Sequence, residues 1–97
     1  MSVYVISEVE ILDEGQGQRY RELAQESIAR HGGRYIVRGA APAVLEGTFD
    51  EHKRVVVVEF PDRETAERWY GSAEYAEAWE LSKTALRRRL LLVDGVA

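Results

Sequence analysis

Arg38 and Glu59 are the two charged residues whose expected positions suit them best to chemistry. Arg38 lies near the end of the second predicted strand and Glu59 near the end of the third, and adjacent antiparallel strands can bring such positions together. Paired with each other, the two side chains would form a structural ion pair. Unpaired in a pocket, Arg38 would bind a carboxylate or enolate and Glu59 would accept a proton. The sequence leaves both alternatives open.

Aromatic side chains supply the apolar part of a candidate site. Five of them fall on predicted helical segments: Tyr20, Trp69, Tyr70, Tyr75 and Trp79. Aromatic residues at helical spacing typically pack against strands as core, but the same residues also suit an apolar pocket with a few orienting polar groups. We therefore expect any ligand to lie between the sheet and the helices. The candidate ligand-binding residues are Arg38, Glu59, Trp69, Tyr70 and Tyr75.

Metal binding and nucleophilic catalysis find little support in the residue types. A metal site needs three or four converging ligands, and the chain has two histidines, His31 and His52, and no cysteine. His31 suits the last turn of a helix and His52 a polar turn. The G-x-S-x-G motif of a nucleophile elbow is absent. We expect no metal and no cofactor, and the catalytic residues, if there are any, are not identified.

The glycine-rich stretch "RHGGRYIVRG" resembles a phosphate-binding loop only in composition. A phosphate loop places glycines after a strand and before a helix N-terminus. Here Gly32 and Gly33 follow a helical pattern and precede a strand pattern. We expect one of them to end the helix in a left-handed conformation.

The charge pattern argues against nucleic acid and membranes as partners. The net charge is −4, whereas a nucleic-acid surface is basic. The "RRR" run of Arg87, Arg88 and Arg89 follows the last predicted helix, where cations offset the helix dipole, and we expect it to form a solvated face. The start "MSVYVISEVEI" has neither a basic region nor a long apolar run, so we expect a cytoplasmic protein.

The elements that position these residues alternate along 97 residues, enough for one domain, 1–97. Strand patterns cover 3–11, 34–39, 53–60 and 88–95, with a short strand or bent continuation at 43–49. Helical patterns cover 20–31, after turn residues 13–18, and two pieces within 62–87. The order β-α-β-β-α-β predicts an α+β fold of the ferredoxin-like kind, a four-stranded antiparallel sheet with the helices on one face.

The third and fourth strands are apolar on both faces, which has a consequence for assembly. In a monomer of this fold the helices cover one face, so strands should alternate apolar and polar residues. The runs Val55 to Val58 and Leu90 to Val93 do not alternate. We expect a homodimer that packs sheet against sheet, although the sequence does not show which parity faces the partner.

Five blocks together resemble domain-of-unknown-function family 1330, within the dimeric α+β barrel superfamily. The blocks are "YVISEVEI", "GGRYIVRG", "VLEG", "RVVVVEFPD" and "RWYGSAEY". The positions that match the family motif are Arg38, Gly39, Glu46, Gly47, Glu59, Phe60, Pro61, Trp69, Tyr70, Ser72, Glu74 and Tyr75. Ala40 stands where a second glycine is usual and Ala73 where proline is usual. The resemblance implies a ferredoxin-like subunit that pairs into a dimeric α+β barrel, and implies no reaction.

Two functional hypotheses remain. One is a small dimeric protein that binds a small organic molecule between sheet and helices. The other is a cofactor-independent enzyme, similar to monooxygenases and isomerases of the same superfamily, that acts on a small aromatic or enolic substrate. A partly polar cavity that reaches Arg38 or Glu59 would be required by the enzyme.

Overall fold

The computed structural model describes residues 1–96 and has seven elements. In chain order these are β1 (Val3–Ile11), α1 (Glu14–Arg30), β2 (Arg34–Ala40), β3 (Arg54–Phe60), α2 (Arg63–Tyr70), α3 (Ala73–Ala85) and β4 (Leu86–Asp94). The strands form one antiparallel sheet in the order β2-β3-β1-β4. This is the predicted ferredoxin-like arrangement, in which α2 and α3 together occupy the second helical position. No helix within the described range is long and apolar enough to cross a membrane.

Side-chain capping sets where the helices begin. Asp13, Asp62 and Ser72 each accept a hydrogen bond from the backbone N–H three residues later, which satisfies a donor that the first turn leaves free. The cap at Asp13 starts α1 at Glu14. Residues 13–18, predicted as a turn, are therefore mostly helical.

Gly32 and Gly33 end α1 as the sequence predicted. Gly32 has a φ of 74°, a left-handed conformation that other residues adopt at a cost. The Gly33 N–H donates to the Ile28 carbonyl at 2.9 Å. A Cβ at Gly33 would lie 2.7 Å from the ring of Phe60, so the chain can pass over the sheet here only without a side chain.

The two faces of the sheet differ in what covers them. On the helix face, Val3, Val5, Val58 and Phe60 are at most 8% exposed. The opposite face, which we call the open face, is covered by no element of residues 1–96. It carries Tyr4, Ile6, Glu8, Glu10, Arg34, Val55, Val57, Glu59, Arg87, Arg89, Leu91 and Val93.

Two further sequence predictions about local structure were wrong. Residues 43–49 form no strand, because Gly39 and Gly47 have φ of 78° and 85° and Pro42 lacks an N–H for pairing. The run Arg87 to Arg89 does not form one solvated face, because Arg88 is partly buried. The run lies inside β4, which begins at Leu86, so alternation along the strand sends its side chains to opposite faces.

Candidate functional site: a cavity between α1 and the sheet

A cavity of about 590 Å³ lies between α1 and the helix face of the sheet. Small or short side chains leave this space, among them Ser7 and Val56 on the strands and Gly17 and Ala24 on α1. Valines and leucines from β1, β3 and β4 form the floor: Val5, Val9, Val56, Val58, Leu86 and Leu90. The most exposed lining residues mark the mouth and are Glu14, Arg38, Gly39, Glu51, His52 and Arg54.

Arg88 is the charged residue that the fold carries into the cavity wall. It is paired with Val9 of β1 in the register of β4, and its side chain is partly buried on the helix face. Its guanidinium donates to the hydroxyl of Tyr20 at 2.5 Å and to that of Tyr75 at 2.9 Å. The two hydroxyls are themselves 2.8 Å apart. These hydrogen bonds join β4, which carries Arg88, to α1 at the cavity and to α3 behind it.

The electrostatics keep this cluster as one cation and a neutral phenol. Burial alone would lower the pKa of Arg88, but the neighbouring Tyr20 and Tyr75 hydroxyls outweigh burial and the pKa is raised. Burial strongly raises the pKa of Tyr75. Arg88 therefore stays charged, and Tyr75 keeps its proton, at any physiological pH.

Ion pairing divides the arginines of the chain into two groups. Among residues 1–96, seven arginines form ion pairs with carboxylates: Arg19, Arg30, Arg34, Arg63, Arg68, Arg87 and Arg89. The other four line the cavity: Arg21, Arg38, Arg54 and Arg88. The cavity's two carboxylates, Glu14 and Glu51, pair with none of these arginines in the described structure. The cavity is thus electropositive in a protein whose net charge is −4.

Arg38 reaches the mouth of the cavity because β2 is irregular. The register with β3 shifts between Tyr35 and Val37, so Tyr35 and Arg38 both face α1. The guanidinium of Arg38 lies 4.5 Å from the centre of the Tyr35 ring and donates to Gln25 of α1. Burial raises the pKa of Tyr35 despite the nearby Arg38.

Glu59 lies on the other side of the sheet from Arg38. Its partner across β2 is Arg34, whose Nε donates to the Glu59 carboxylate at 2.7 Å, and the Tyr4 hydroxyl donates to it at 3.3 Å. The hydrogen bond from Arg34 lowers the pKa of Glu59. The structure therefore joins Arg38 and Glu59 neither as an ion pair nor in one pocket.

The three candidate aromatic residues occupy different positions. Trp69 is 3% exposed, lines the cavity and donates from Nε1 to Ser27 Oγ at 3.0 Å. Tyr75 is fully buried and meets the site through Arg88. Tyr70 is 48% exposed and accepts from Trp79 Nε1 at 3.2 Å. Tyr70 lies away from this cavity, in a second groove between α2 and β4.

Arg88, Tyr20 and Tyr35 are the site residues that the sequence did not single out as ligand-binding. A signal for Arg88 was present in the alternation of β4. Leu86, Leu90 and Leu92 share a face with Arg88, and a lone arginine on an apolar face is costly unless it has a partner or a role. Tyr35 carried no such signal, because its direction depends on the irregular register of β2.

Solved structures share the fold. A protein of unknown function from Rhodopseudomonas palustris is 18% identical, with a TM-score of 0.78 over 99% of this chain and 83% of that one. SnoaB, a cofactor-independent oxygenase from Streptomyces nogalater, is 11% identical, with a TM-score of 0.70 over 99% and 94%. A dimeric ferredoxin-like protein of unknown function from Jannaschia sp. CCS1 is 12% identical, with a TM-score of 0.67 over 98% and 100%.

Sequence comparison gives the family. No curated protein matches the chain. Residues 2–96 match the family described as Domain of unknown function (DUF1330), which agrees with the resemblance of the five sequence blocks. The chain belongs to the DUF1330 family.

Proposed function

We propose that the protein binds a small organic anion, a carboxylate or an enolate with an apolar body, in the cavity between α1 and the sheet. The observation that carries the proposal is the division of the arginines, since those without a carboxylate partner in the described structure are the ones that line the cavity. Leaving a partly buried cation such as Arg88 without a counter-charge is costly. A bound anion would supply that counter-charge.

The size and walls of the cavity support the same ligand class. Ligand sites commonly measure about 300–1,000 Å³ and combine apolar walls with a few polar groups, and this cavity has about 590 Å³. The floor of valines and leucines suits an aromatic or aliphatic body. Arg88 would hold the anionic group in the wall, and Arg38 would attract it at the mouth.

The test is a calorimetric titration with 2-naphthoate, compared with the uncharged naphthalene-2-methanol. We expect the carboxylate to bind at least about tenfold more tightly, because a hydrogen bond to a charged group contributes about 1.5–3 kcal/mol. Arg88→Met should remove that preference. Arg30→Met is the matched control, since Arg30 is an exposed residue of α1 that does not line the cavity and pairs with Glu26. Equal affinities for both compounds in the wild type would contradict the proposal.

The proposal includes a homodimer that buries the open face. Apolar side chains from three strands lie side by side there, with Val57 paired to Ile6 and Ile6 paired to Leu91. Leu91 is 42% exposed and Val93 is 38% exposed. A second copy that packs through the same face would bury the apolar side chains of both copies. The Jannaschia protein, similar in fold, is itself described as dimeric.

A cofactor-independent enzyme is the second candidate, and one observation favours it. Arg88 and the Tyr20 hydroxyl stand together at the cavity wall, an arrangement able to stabilise an enolate as it forms. His52 at the mouth is the kind of group that accepts the proton. The test is hydrogen–deuterium exchange at C1 of 2-tetralone, followed by NMR. Exchange no faster than in buffer would remove this candidate and leave the binding function.

A further inference from the structure

The hydroxyls of Tyr20 and Tyr75 share a hydrogen bond whose direction can be worked out by counting donors and acceptors. A phenol has one proton to donate and two lone pairs to accept with. Each hydroxyl already accepts one hydrogen bond from Arg88. The bond between them uses the proton of one phenol and leaves the proton of the other without a partner in the cluster.

The surplus proton belongs to whichever phenol accepts the shared bond, and burial differs between the two. Tyr75 is fully buried, does not line the cavity, and contacts no further acceptor within residues 1–96 through its hydroxyl. Were Tyr20 to donate to Tyr75, a buried O–H would be left unsatisfied, which proteins rarely tolerate. Tyr20 lines the cavity, so its proton has space in which to meet a partner. The favourable direction is therefore from Tyr75 to Tyr20.

We propose that Tyr20 donates its hydroxyl proton to an oxygen of the ligand, and that Arg88 and Tyr75 fix the direction of that proton. This inference rests on the proposed anion-binding function and narrows the ligand class. With both lone pairs of Tyr20 occupied, the oxygen that meets it must be an acceptor, as in a carboxylate, an enolate or a ketone. An alcohol or an amine that needs an acceptor finds none at this point of the wall. Two donors to Tyr20 also make it a stronger donor.

The closing experiment compares 2-naphthoate binding by the wild type, Tyr20→Phe and Tyr75→Phe. Tyr20→Phe should weaken binding by about 10- to 100-fold, the loss of one hydrogen bond to a charged group. Tyr75→Phe should weaken binding less. Tyr20 still has a proton to donate in that variant, and only the direction of its O–H is no longer fixed by Tyr75. Equal losses in both variants, or no loss in Tyr20→Phe, would overturn the inference. Failure of the wild type to bind 2-naphthoate would instead count against the proposed function.

A second measurement tests whether Tyr20 donates to the ligand. It follows the affinity for 2-naphthoate as the donor strength of Tyr20 is changed, and a tyrosine with a purely structural role would leave that affinity unchanged. Replacing Tyr20 by 3-fluorotyrosine makes the phenol a stronger donor and a weaker acceptor. Below the pKa of the fluorophenol, affinity for 2-naphthoate should rise by several-fold. A fall in affinity would show that Tyr20 accepts a hydrogen bond from the ligand rather than donating one, and would overturn the inference even if Tyr20→Phe binds weakly.

Discussion

Val57→Asp should dissociate the proposed dimer and leave the subunit folded. Val57 lies in the middle of the open face, where its cross-strand neighbour is Ile6. In the monomer a side chain at this position faces solvent, so the substitution costs the subunit only about 1 kcal/mol in strand preference. In the dimer the same change buries a carboxylate in each copy.

The expected effect on association is large. Leaving a buried charge without a partner costs several kcal/mol, and two copies meet in one interface. A loss of about 5 kcal/mol in total corresponds to a dissociation constant raised by roughly 10³- to 10⁴-fold. Sedimentation equilibrium measures this directly, and thermal unfolding shows that the subunit is intact. We expect the wild type to be dimeric and Val57→Asp to be monomeric at micromolar concentration.

Neighbouring substitutions provide the controls. Val57→Thr has nearly the same shape without a charge and should remain dimeric. Val58→Asp places its carboxylate on the helix face, where Val58 is 3% exposed, and should unfold the subunit. A Val57→Asp protein that stays dimeric, or a wild type that is monomeric at every concentration, would refute the assignment of the interface to the open face.

Three further predictions concern the stability of the fold. Gly32→Ala should cost about 1 kcal/mol in chemical unfolding, because its φ of 74° disfavours a side chain; an unchanged stability would contradict this. Ser27→Ala should cost about 1–3 kcal/mol by leaving the buried Trp69 Nε1–H without an acceptor, whereas a loss under half of that would mean that another acceptor takes over. The lowered pKa of Glu59 means that its carboxylate stabilises the fold above its ordinary value of 4.5. That contribution is lost as the pH falls further, so unfolding of Arg34→Met should depend less on pH in that range than unfolding of the wild type.

The sequence was sufficient for the order of the elements but not for the direction of particular side chains. The end of α1 was predicted from Gly32 and Gly33, which have a strong local preference, whereas the start at Asp13 was missed because residues 13–18 were predicted as a turn. The four-valine run showed that both faces are apolar, while register alone shows that Val55 and Val57 belong to the open face. Two predictions from the sequence are still untested. One is that two copies of the chain meet across the open face, and the other is the cytoplasmic location.

The candidate site was harder to predict because it depends on long-range pairing. Arg38 faces the cavity through an irregular register in β2, and Glu59 faces the opposite way because Arg34 is its cross-strand partner. Arg88 was predicted in a solvated run, since its contacts with Tyr20 and Tyr75 join residues far apart in the chain. Local pattern does not encode such contacts, although the leucine face of β4 indicated that Arg88 is unusual.

The most direct test of the central claim is to locate an anion in the protein. A crystal grown with 6-bromo-2-naphthoate at saturating concentration would place the probe by the anomalous signal of bromine. We predict the carboxylate within hydrogen-bonding distance, about 2.7–3.2 Å, of the Arg88 guanidinium, with the rings over the floor formed by Val56 and Leu90. Bromine found only on the open face or in the groove between α2 and β4, with the cavity free of the probe, would contradict the account.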